Sequence, residues 1–259
     1  RYLADGKRIG YQEIIRELYK NHQDDIGDYY LLYYYGDTVC DFDFVSRFRY
    51  RCGYGVHSPS DFHFITFVIY ERLPFYAYTP LHRLRRGVLH LPHYREKVDR
   101  LLFRVVNERR PSALLEVGTG SGLSALYMAS ANLQMKVRTL DQKYQEKVAR
   151  LFGENSRITY EKCELKDGIE HFLSENHCPD LIHIAHTPYY KEVFDLLLPK
   201  VKSETCMIIG QPYATAEKKQ WWKEVVADER TGVTFDLYDV GLVFFDKSRV
   251  KEHRIVNFL

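Results

Sequence analysis

Three glycines at alternate positions are the residues whose type and spacing say most about chemistry. An apolar stretch leads into Glu116, then Gly118, Gly120 and Gly122 alternate, and an amphipathic stretch begins directly after them. Glycine allows backbone conformations and a close ligand approach that a Cβ atom would block. The start of a helix presents free N–H groups, which suits a polar ligand. The pattern therefore predicts a loop that wraps a small polar ligand.

The spacing of these glycines distinguishes two classes of cofactor. A dinucleotide-binding loop follows the pattern GxGxxG. Counted from Gly118, the third glycine of that pattern would fall at Leu123. The sequence therefore favours S-adenosylmethionine (SAM) over NAD, and we expect Glu116, Thr119 and Ser121 to bind it together with the glycines. A tight glycine turn in an unrelated α/β protein is the structural alternative.

Carboxylates that follow the next two predicted strands complete the expected cofactor site. Asp141 ends the strand after the loop, where it can accept hydrogen bonds from both ribose hydroxyls, and Gln142 comes next. Glu164 follows the third strand beside Cys163, where it can accept a hydrogen bond from the adenine amino group. Asp141 could also cap the helix that begins at Gln145, and the two roles are compatible.

The order of predicted elements indicates how these residues are positioned. From Pro111 onward, short apolar runs alternate with amphipathic helical patterns, which is typical of βαβ units and a parallel sheet. The last two strands are close enough to form an antiparallel hairpin. We predict an α/β fold with a Rossmann-like, doubly wound, mostly parallel sheet of seven strands, the terminal hairpin included. The predicted strands are 113–117, 137–140, 158–162, 181–184, 206–209, 233–238 and 241–245, and the helices are 123–133, 145–152, 168–174, 189–198 and 217–226.

Composition changes near Pro111, which suggests a mostly helical N-terminal extension at 1–110 and a cofactor-binding domain at 111–259. The sequence of the extension predicts an amphipathic helix at 9–20 and contains a tyrosine-rich run at 28–35. That run either packs the extension onto the second domain or stacks on bases. The basic stretch 82–100 is either a patch for an anionic substrate or a solvated face.

The overall composition limits the classes of partner. Lys and Arg total 37 against 35 Asp and Glu, a net charge of +2, which gives no bulk attraction to nucleic acid or membrane. The five cysteines contain no CxxC pair, which fits a reducing cytoplasm. No apolar run reaches the ~20 residues that cross a bilayer. His90 and His93 lack a second pair at ligand spacing, so no metal site is predicted. Whether the chain forms a homodimer is left open.

Several motifs together resemble a known family. EVGTGSGLSALYMA, which begins at Glu116, resembles the first motif of the O-methyltransferases of the catechol and caffeoyl-coenzyme A type. TLDQ at 139–142 is similar to their ribose-binding motif, and GVHSP at 55–59 to a segment in bacterial relatives. The segments 180–190, 206–213 and 237–245 fall where the family has its later strands and final hairpin. The resemblance implies a SAM-binding methyltransferase domain at 111–259, with the extension covering the acceptor side.

The chain departs from this family at the metal site. Metal-dependent members carry an Asp after the fourth strand and an Asp-Asn or Asp-Asp pair after the fifth, which hold Mg²⁺. The matching positions here are Ala185, Gly210 and Gln211. No carboxylate is left to bind a hard cation, so the resemblance implies metal-independent catalysis.

Side chains near the fourth strand are candidates for the catalytic base. His183, His186 and Tyr189 lie where a base could reach an acceptor, although a lone histidine is more often structural. His57 in the GVHSP segment could point into the pocket as a base or donor, or serve in a cap or core.

The sequence leaves three functions open. The first is a metal-independent SAM-dependent methyltransferase that acts on a small-molecule acceptor. The second is a catalytically degenerate methyltransferase fold that serves as a SAM- or S-adenosylhomocysteine-binding or interaction module. The third, methylation of nucleic acid, depends on the tyrosine run and the basic stretch. It is disfavoured because Thr187-Pro188-Tyr189 matches the Asn/Asp-Pro-Pro-Tyr motif of amino-methylating enzymes only in part.

Overall fold

The computed structural model describes the backbone of residues 3–4 and 7–8, residues 47, 50 and 53, and residues 55–258 except 154 and 177. The chain divides into two compact units, residues 1–48 with 259, and residues 49–258. The described residues of the first unit include an antiparallel pair of short strands, β1 (Leu3–Ala4) and β2 (Lys7–Arg8). The predicted helix at 9–20 and the tyrosine-rich run at 28–35 lie outside the described residues.

The second unit begins with helices that share a core with the sheet. Helix α1 (Pro59–Phe64) continues as a π-helical turn (Ile65–Ile69), and α2 (Tyr78–Arg85) and α3 (Glu96–Arg109) follow. The inner face of α3 is fully buried in the same core as the sheet, since each of these side chains has no exposed surface: Val98, Leu101, Leu102 and Val105. Residues 55–110 therefore pack as part of the unit that contains the predicted cofactor domain.

Alternating strands and helices form the rest of this unit. In chain order they are β3 (Ala113–Val117), α4 (Leu123–Ala131), β4 (Lys136–Asp141), α5 (Glu146–Phe152), β5 (Ile158–Lys162), α6 (Leu165–Asn176), β6 (Leu181–Ile184), α7 (Tyr190–Leu197), a 3-10 turn (Leu198–Lys200), β7 (Cys206–Gly210), α8 (Ala216–Ala227), β8 (Thr234–Asp236), β9 (Val240–Phe244) and β10 (His253–Ile255). Each predicted strand and helix after Pro111 is found within a few residues of its expected bounds. Every helix in the described residues is too short or too polar to cross a bilayer.

The sheet confirms the predicted Rossmann-like architecture but is one strand wider than expected. Its order is β10-β8-β9-β7-β6-β3-β4-β5, mostly parallel, with β9 antiparallel to both β7 and β8. The additional strand, β10, pairs in parallel with β8. Its three residues are too few for a sequence pattern to reveal, because a strand of that length is defined by the neighbour with which it pairs.

Two helical layers cover the sheet. Alternate residues of β3 point to opposite faces, so Leu114 belongs to the core beneath α3 and α4, while Leu115 belongs to the core beneath α6, α7 and α8. From β3 the chain proceeds through β4 to β5 on one side, and β6 then returns to the other side of β3. Ligands of such sheets bind where this reversal opens a crevice at the carboxyl ends of the strands.

Candidate active site

The glycine loop lies at the carboxyl end of β3 and needs its glycines. Gly118, Gly120 and Gly122 all have positive φ values, of 91°, 53° and 74°. A Cβ atom at Gly118 would lie 2.7 Å from the His186 carbonyl carbon, and one at Gly122 would lie 2.8 Å from the Phe152 ring. Backbone conformation and lack of space therefore both require glycine here.

The loops after β3 and β6 diverge from a shared backbone contact. The amide of Ala185 donates to the Val117 carbonyl (2.9 Å), and that of His186 donates to the Gly118 carbonyl (3.2 Å). Beyond these bonds one loop enters α4 and the other enters α7 on the opposite face. The candidate site therefore lies at the topological reversal of the sheet.

The predicted ribose ligand, Asp141, lies beside the glycine loop. Its Oδ2 accepts a hydrogen bond from the Gly120 amide (3.4 Å) and its Oδ1 accepts one from the Lys143 amide (3.0 Å). Asp141 and Gln142 are partly exposed, so both can also contact a ligand. The Cys163 amide donates to the Asp141 carbonyl (3.1 Å), which places the exposed Glu164 at the same edge of the sheet.

The hydroxyl residues between the glycines are buried and engaged within the protein. Thr119 Oγ1 lies 2.7 Å from Thr139 Oγ1. The Ser121 amide donates to the Pro92 carbonyl (2.8 Å), and its side chain accepts a bond from the Leu123 amide (3.4 Å). In this structure the side chains of Thr119 and Ser121 stabilise the loop. That they also contact the cofactor remains a prediction.

A buried polar network crosses the sheet directly under the loop. Glu116 is in register with Thr139 on one side and with His183 on the other. Thr139 Oγ1 donates to Glu116 Oε2 (2.6 Å), His183 Nδ1 lies 2.9 Å from Glu116 Oε1, and His183 Nε2 lies 3.2 Å from the Tyr94 hydroxyl. Burial and the charge of Glu116 raise the pKa of Tyr94 well above its usual value. The Tyr94 hydroxyl therefore keeps its proton and donates to Nε2, which leaves Nδ1–H to donate to Glu116.

This network changes the roles expected for two predicted site residues. Glu116 was expected to bind cofactor and His183 to act as a base, but neither side chain has any exposed surface. Both carboxylate oxygens of Glu116 and both ring nitrogens of His183 are already bonded to protein groups. The structure gives them a supporting position, because a buried side chain with every polar atom satisfied cannot reach a ligand without breaking those bonds.

Residues 91–95, the covering segment, cross over the glycine loop. Besides the Pro92–Ser121 bond, Arg85 Nη2 donates to the Tyr94 carbonyl (2.8 Å), and Arg95 is ion-paired with Asp239. These bonds hold the segment against the sheet. Pro92 and Tyr94 are site residues that the sequence does not reveal, since nothing in the local pattern distinguishes them.

Three basic side chains of the stretch 82–100 pair with carboxylates of the same stretch. His82 Nδ1 lies 2.6 Å from Glu96 Oε2, Arg100 pairs with the same Glu96 (2.7 Å), and Arg85 pairs with the buried Asp99. The interpretation as a free patch for an anionic substrate receives no support from these contacts.

A cavity of about 520 Å³ adjoins the loop after β6 and the start of α8. His186 separates it from the glycine loop, since a Cβ atom at Gly120 would lie 2.6 Å from the His186 ring. Burial, together with the nearby ammonium of Lys218, lowers the pKa of His186 to about 3. Its Nε2 is buried and has no hydrogen-bond partner among the described residues. The cavity is also lined by Pro92, Tyr190, Gln211, Glu217 and Lys218.

Tyr190 lines this cavity, whereas the predicted candidate base is its sequence neighbour Tyr189. Tyr189 is 42% exposed and does not line the cavity, whereas Tyr190 is buried and does. Lys218 Nζ lies 4.8 Å from the centroid of the Tyr190 ring. His57 is exposed and also lies off the cavity, while its neighbour Ser58 caps α1 by accepting from the Asp61 amide (3.4 Å).

Lys218 is a further cavity residue that was not predicted, although the sequence carries a signal for it. Lys218 lies in the first turn of α8, whose N-cap is Thr215. A cation is unfavourable there, because it faces the positive end of the helix dipole. A lysine in that position is therefore an anomaly that calls for a partner.

The positions that hold metal in the resembled family have no carboxylate here. Gly210 lies beneath the Tyr94 hydroxyl, which fills the space that a Cβ atom would need, and Ala185 is buried beside it. Among the described residues, no three His, Cys, Asp or Glu side chains converge as metal ligands.

The fold places this chain among known structures, although sequence comparison does not. No protein-family model and no curated protein matches the sequence. A Klebsiella pneumoniae protein assigned to the O-methyltransferases matches 70% of this chain and 94% of its own, with a TM-score of 0.55 and 20% identity. An O-methyltransferase from Bacillus cereus in complex with S-adenosylhomocysteine (SAH) matches 69% of this chain and 95% of its own, with a TM-score of 0.54 and 16% identity. TomG from Streptomyces achromogenes, an O-methyltransferase in complex with SAM, matches 67% of this chain and 91% of its own, with a TM-score of 0.51 and 16% identity. The chain thus shares its Rossmann-like fold with these solved O-methyltransferases.

Proposed function

We propose that this chain is a SAM-dependent methyltransferase that acts on a small-molecule acceptor without a metal ion. The observation that carries the proposal is the loop of three positive-φ glycines at the topological reversal of the sheet, with the Asp141 carboxylate beside it. The fold is that of O-methyltransferases whose crystals contain SAM or SAH. Likeness of fold alone does not establish an activity, so the site has to support it.

The residues at this site fit SAM in their chemistry. Positive φ at Gly118 and Gly120 allows close approach of a ligand to the backbone of the loop that leads into α4. Asp141 has partly exposed oxygens that can accept from a ribose diol, and Glu164 is exposed at the same edge for an adenine amino group. The loop itself is buried beneath Pro92 and His186, so these residues must shift when the cofactor enters.

Methyl transfer from SAM requires no covalent bond between the protein and the reactants. SAM supplies an electrophilic methyl group on a good leaving group, so the chain has to align the acceptor and exclude water. His186 lies between the glycine loop and the cavity and therefore borders both reactants. Because its pKa is about 3, His186 is neutral near pH 7 and is a weak proton acceptor. We assign it the role of a neutral hydrogen-bonding group that orients the acceptor.

Metal independence is part of the proposal. It rests on Ala185 and Gly210, which offer no ligand, and on the Tyr94 hydroxyl, which occupies the space above Gly210. Gln211 is the remaining matching position, and a single neutral amide is a poor site for Mg²⁺.

A second candidate function is a degenerate fold that binds SAM or SAH without turnover. It is favoured by the tight cover over the glycine loop and by the low basicity of His186. The cavity beside His186 favours catalysis, because its volume of about 520 Å³ suits a small acceptor.

Two measurements test the proposal. Isothermal calorimetry with SAH and with NAD should show binding of SAH only, in the micromolar range. Incubation with methyl-labelled SAM and a metabolite extract should move label into the small-molecule fraction, and Asp141→Ala should not do so. Binding of SAH without any transfer would favour the module, and failure to bind SAH would overturn both functions.

A further inference from the structure

We propose that Lys218 forms an ion pair with an anionic group of the acceptor, so that the cavity selects negatively charged small molecules, carboxylates in the first place. This inference rests on the proposed function for the identity of its ligand as a methyl acceptor. The anion site itself follows from the burial and surroundings of Lys218.

Lys218 is a buried cation without an anionic partner in the described part of the chain. The residue is 6% exposed, and none of the described carboxylates lies within ion-pair distance of its Nζ. Burial alone lowers its pKa, to about 8, with no nearby carboxylate to raise it again. Burying an ammonium group costs free energy unless a counter-charge compensates. A ligand anion is the group that would supply it.

The ammonium is held on the cavity side of α8. The Tyr190 ring lies 4.8 Å from Nζ, and its π-face stabilises the cation in place. The positive charge of Lys218 also lowers the pKa of His186. Tyr190, His186 and Lys218 all line the cavity.

The start of α8 contributes to the same field. Thr215 caps this helix of 12 residues by accepting from the Lys218 amide (3.0 Å), and Ala214 and Thr215 also line the cavity. A helix N-terminus attracts anions, and here it adds to the charge of a buried lysine. The two contributions act on the same ligand position.

The carboxylates around the cavity do not neutralise this field. Glu217 is 72% exposed at its side chain and is paired with Lys191 at 2.7 Å, at the rim. Glu192 is exposed to solvent. Exposed charges are screened by water, whereas the buried ammonium is not, so the inner part of the cavity stays positive.

The test compares acids with their neutral amides. Benzoate and benzamide, phenylacetate and phenylacetamide, and butyrate and butyramide are titrated by calorimetry and ligand-observed NMR, with and without SAH. Wild-type protein should bind one or more of the acids at least tenfold more tightly than the matching amide, since a charge-assisted hydrogen bond contributes about tenfold to a hundredfold. Lys218→Met should abolish this preference, and Lys218→Arg should keep it.

Lys223→Met is the matched control, because Lys223 is an exposed lysine on the same helix. K218M should remain folded, since the substitution removes a buried charge, and a thermal unfolding scan verifies this. Equal affinity for acids and amides in the wild type, no acid binding at all, or undiminished acid binding in K218M would overturn the proposal. If the protein binds acids in a charge-dependent way but does not bind SAH, the anion site is supported and the methyltransferase function is overturned. If it binds SAH but shows no preference for acids, the anion site is overturned and cofactor binding is supported.

Discussion

His183 Nδ1 lies 2.9 Å from Glu116 Oε1 on neighbouring strands in direct register, and neither side chain has exposed surface. Glu116→Ala removes the acceptor of both His183 and Thr139. We expect it to lower the free energy of unfolding by about 2–5 kcal/mol, because two buried donors, the Thr139 hydroxyl and the His183 Nδ1–H, lose their acceptor. Urea denaturation measures this, with the exposed Glu164→Ala as control.

The same variant separates the two roles considered for Glu116. A residue that served only as a cofactor ligand would leave stability unchanged and reduce affinity for SAH. Unchanged stability of Glu116→Ala would therefore contradict a supporting role.

A methyl group at Gly120 should be poorly tolerated. Its Cβ atom would lie 2.5 Å from the Pro92 carbonyl oxygen and 2.6 Å from the His186 ring, at a φ of 53°. We expect Gly120→Ala to cost about 1–3 kcal/mol of stability and to displace the covering segment. Gly87→Ala is the control, because the nearest atom to its Cβ, the Leu84 carbonyl oxygen, lies at 3.7 Å. Equal stability of the two variants would show that the covering segment moves aside freely.

The ribose contact is tested at Asp141. Asp141→Ala should weaken SAH binding by about 1.5–3 kcal/mol, because the diol loses a charged acceptor. Asp167→Ala, an exposed carboxylate on α6, should leave SAH affinity unchanged in the same calorimetric titration. Full affinity in the Asp141 variant would remove this residue from the site.

Metal independence predicts the response to chelation. Turnover, once an acceptor is found, should be unchanged by EDTA, and Mg²⁺ should not shift the thermal unfolding midpoint. The reason is that Ala185 and Gly210 supply no oxygen ligand from a side chain. Activity that is lost with EDTA and restored by Mg²⁺ would show that metal ligands lie elsewhere in the chain.

Lys218 should make stability depend on pH in alkaline solution. Its pKa is lowered by burial from 10.5 to about 8, so the unfolded chain binds more protons than the folded one between these values. The free energy of unfolding should therefore gain up to about 3 kcal/mol as pH rises through this window, and the penalty is fully present below pH 8.

Comparison with K218M isolates this contribution, because every other titrating group is common to both proteins. Around Lys218, His186 is neutral throughout this range, and Tyr190 and Lys191 have pKa values raised from 10.0 and 10.5. Glu192 and Glu217 at the rim are present in both proteins. Parallel stability curves for the two proteins between pH 8 and 10.5 would contradict the burial of a charged Lys218.

The sequence alone was sufficient to predict the Rossmann-like fold, the glycine loop and the position of Asp141 beside it. These features are local, because hydrophobic periodicity specifies strands and helices and a glycine loop is encoded by consecutive residues. The carboxyl ends of neighbouring parallel strands then bring Asp141 and the loop together.

Tertiary structure decided which polar residues are buried and which face the cavity. Glu116 and His183 looked like site residues by position, but their register across β3 and β6 pairs them with each other beneath the loop. Tyr94 reaches His183 and Lys218 reaches Tyr190 across long stretches of chain. Such contacts depend on how helices dock on the sheet, and docking is set by side-chain packing that no local pattern encodes.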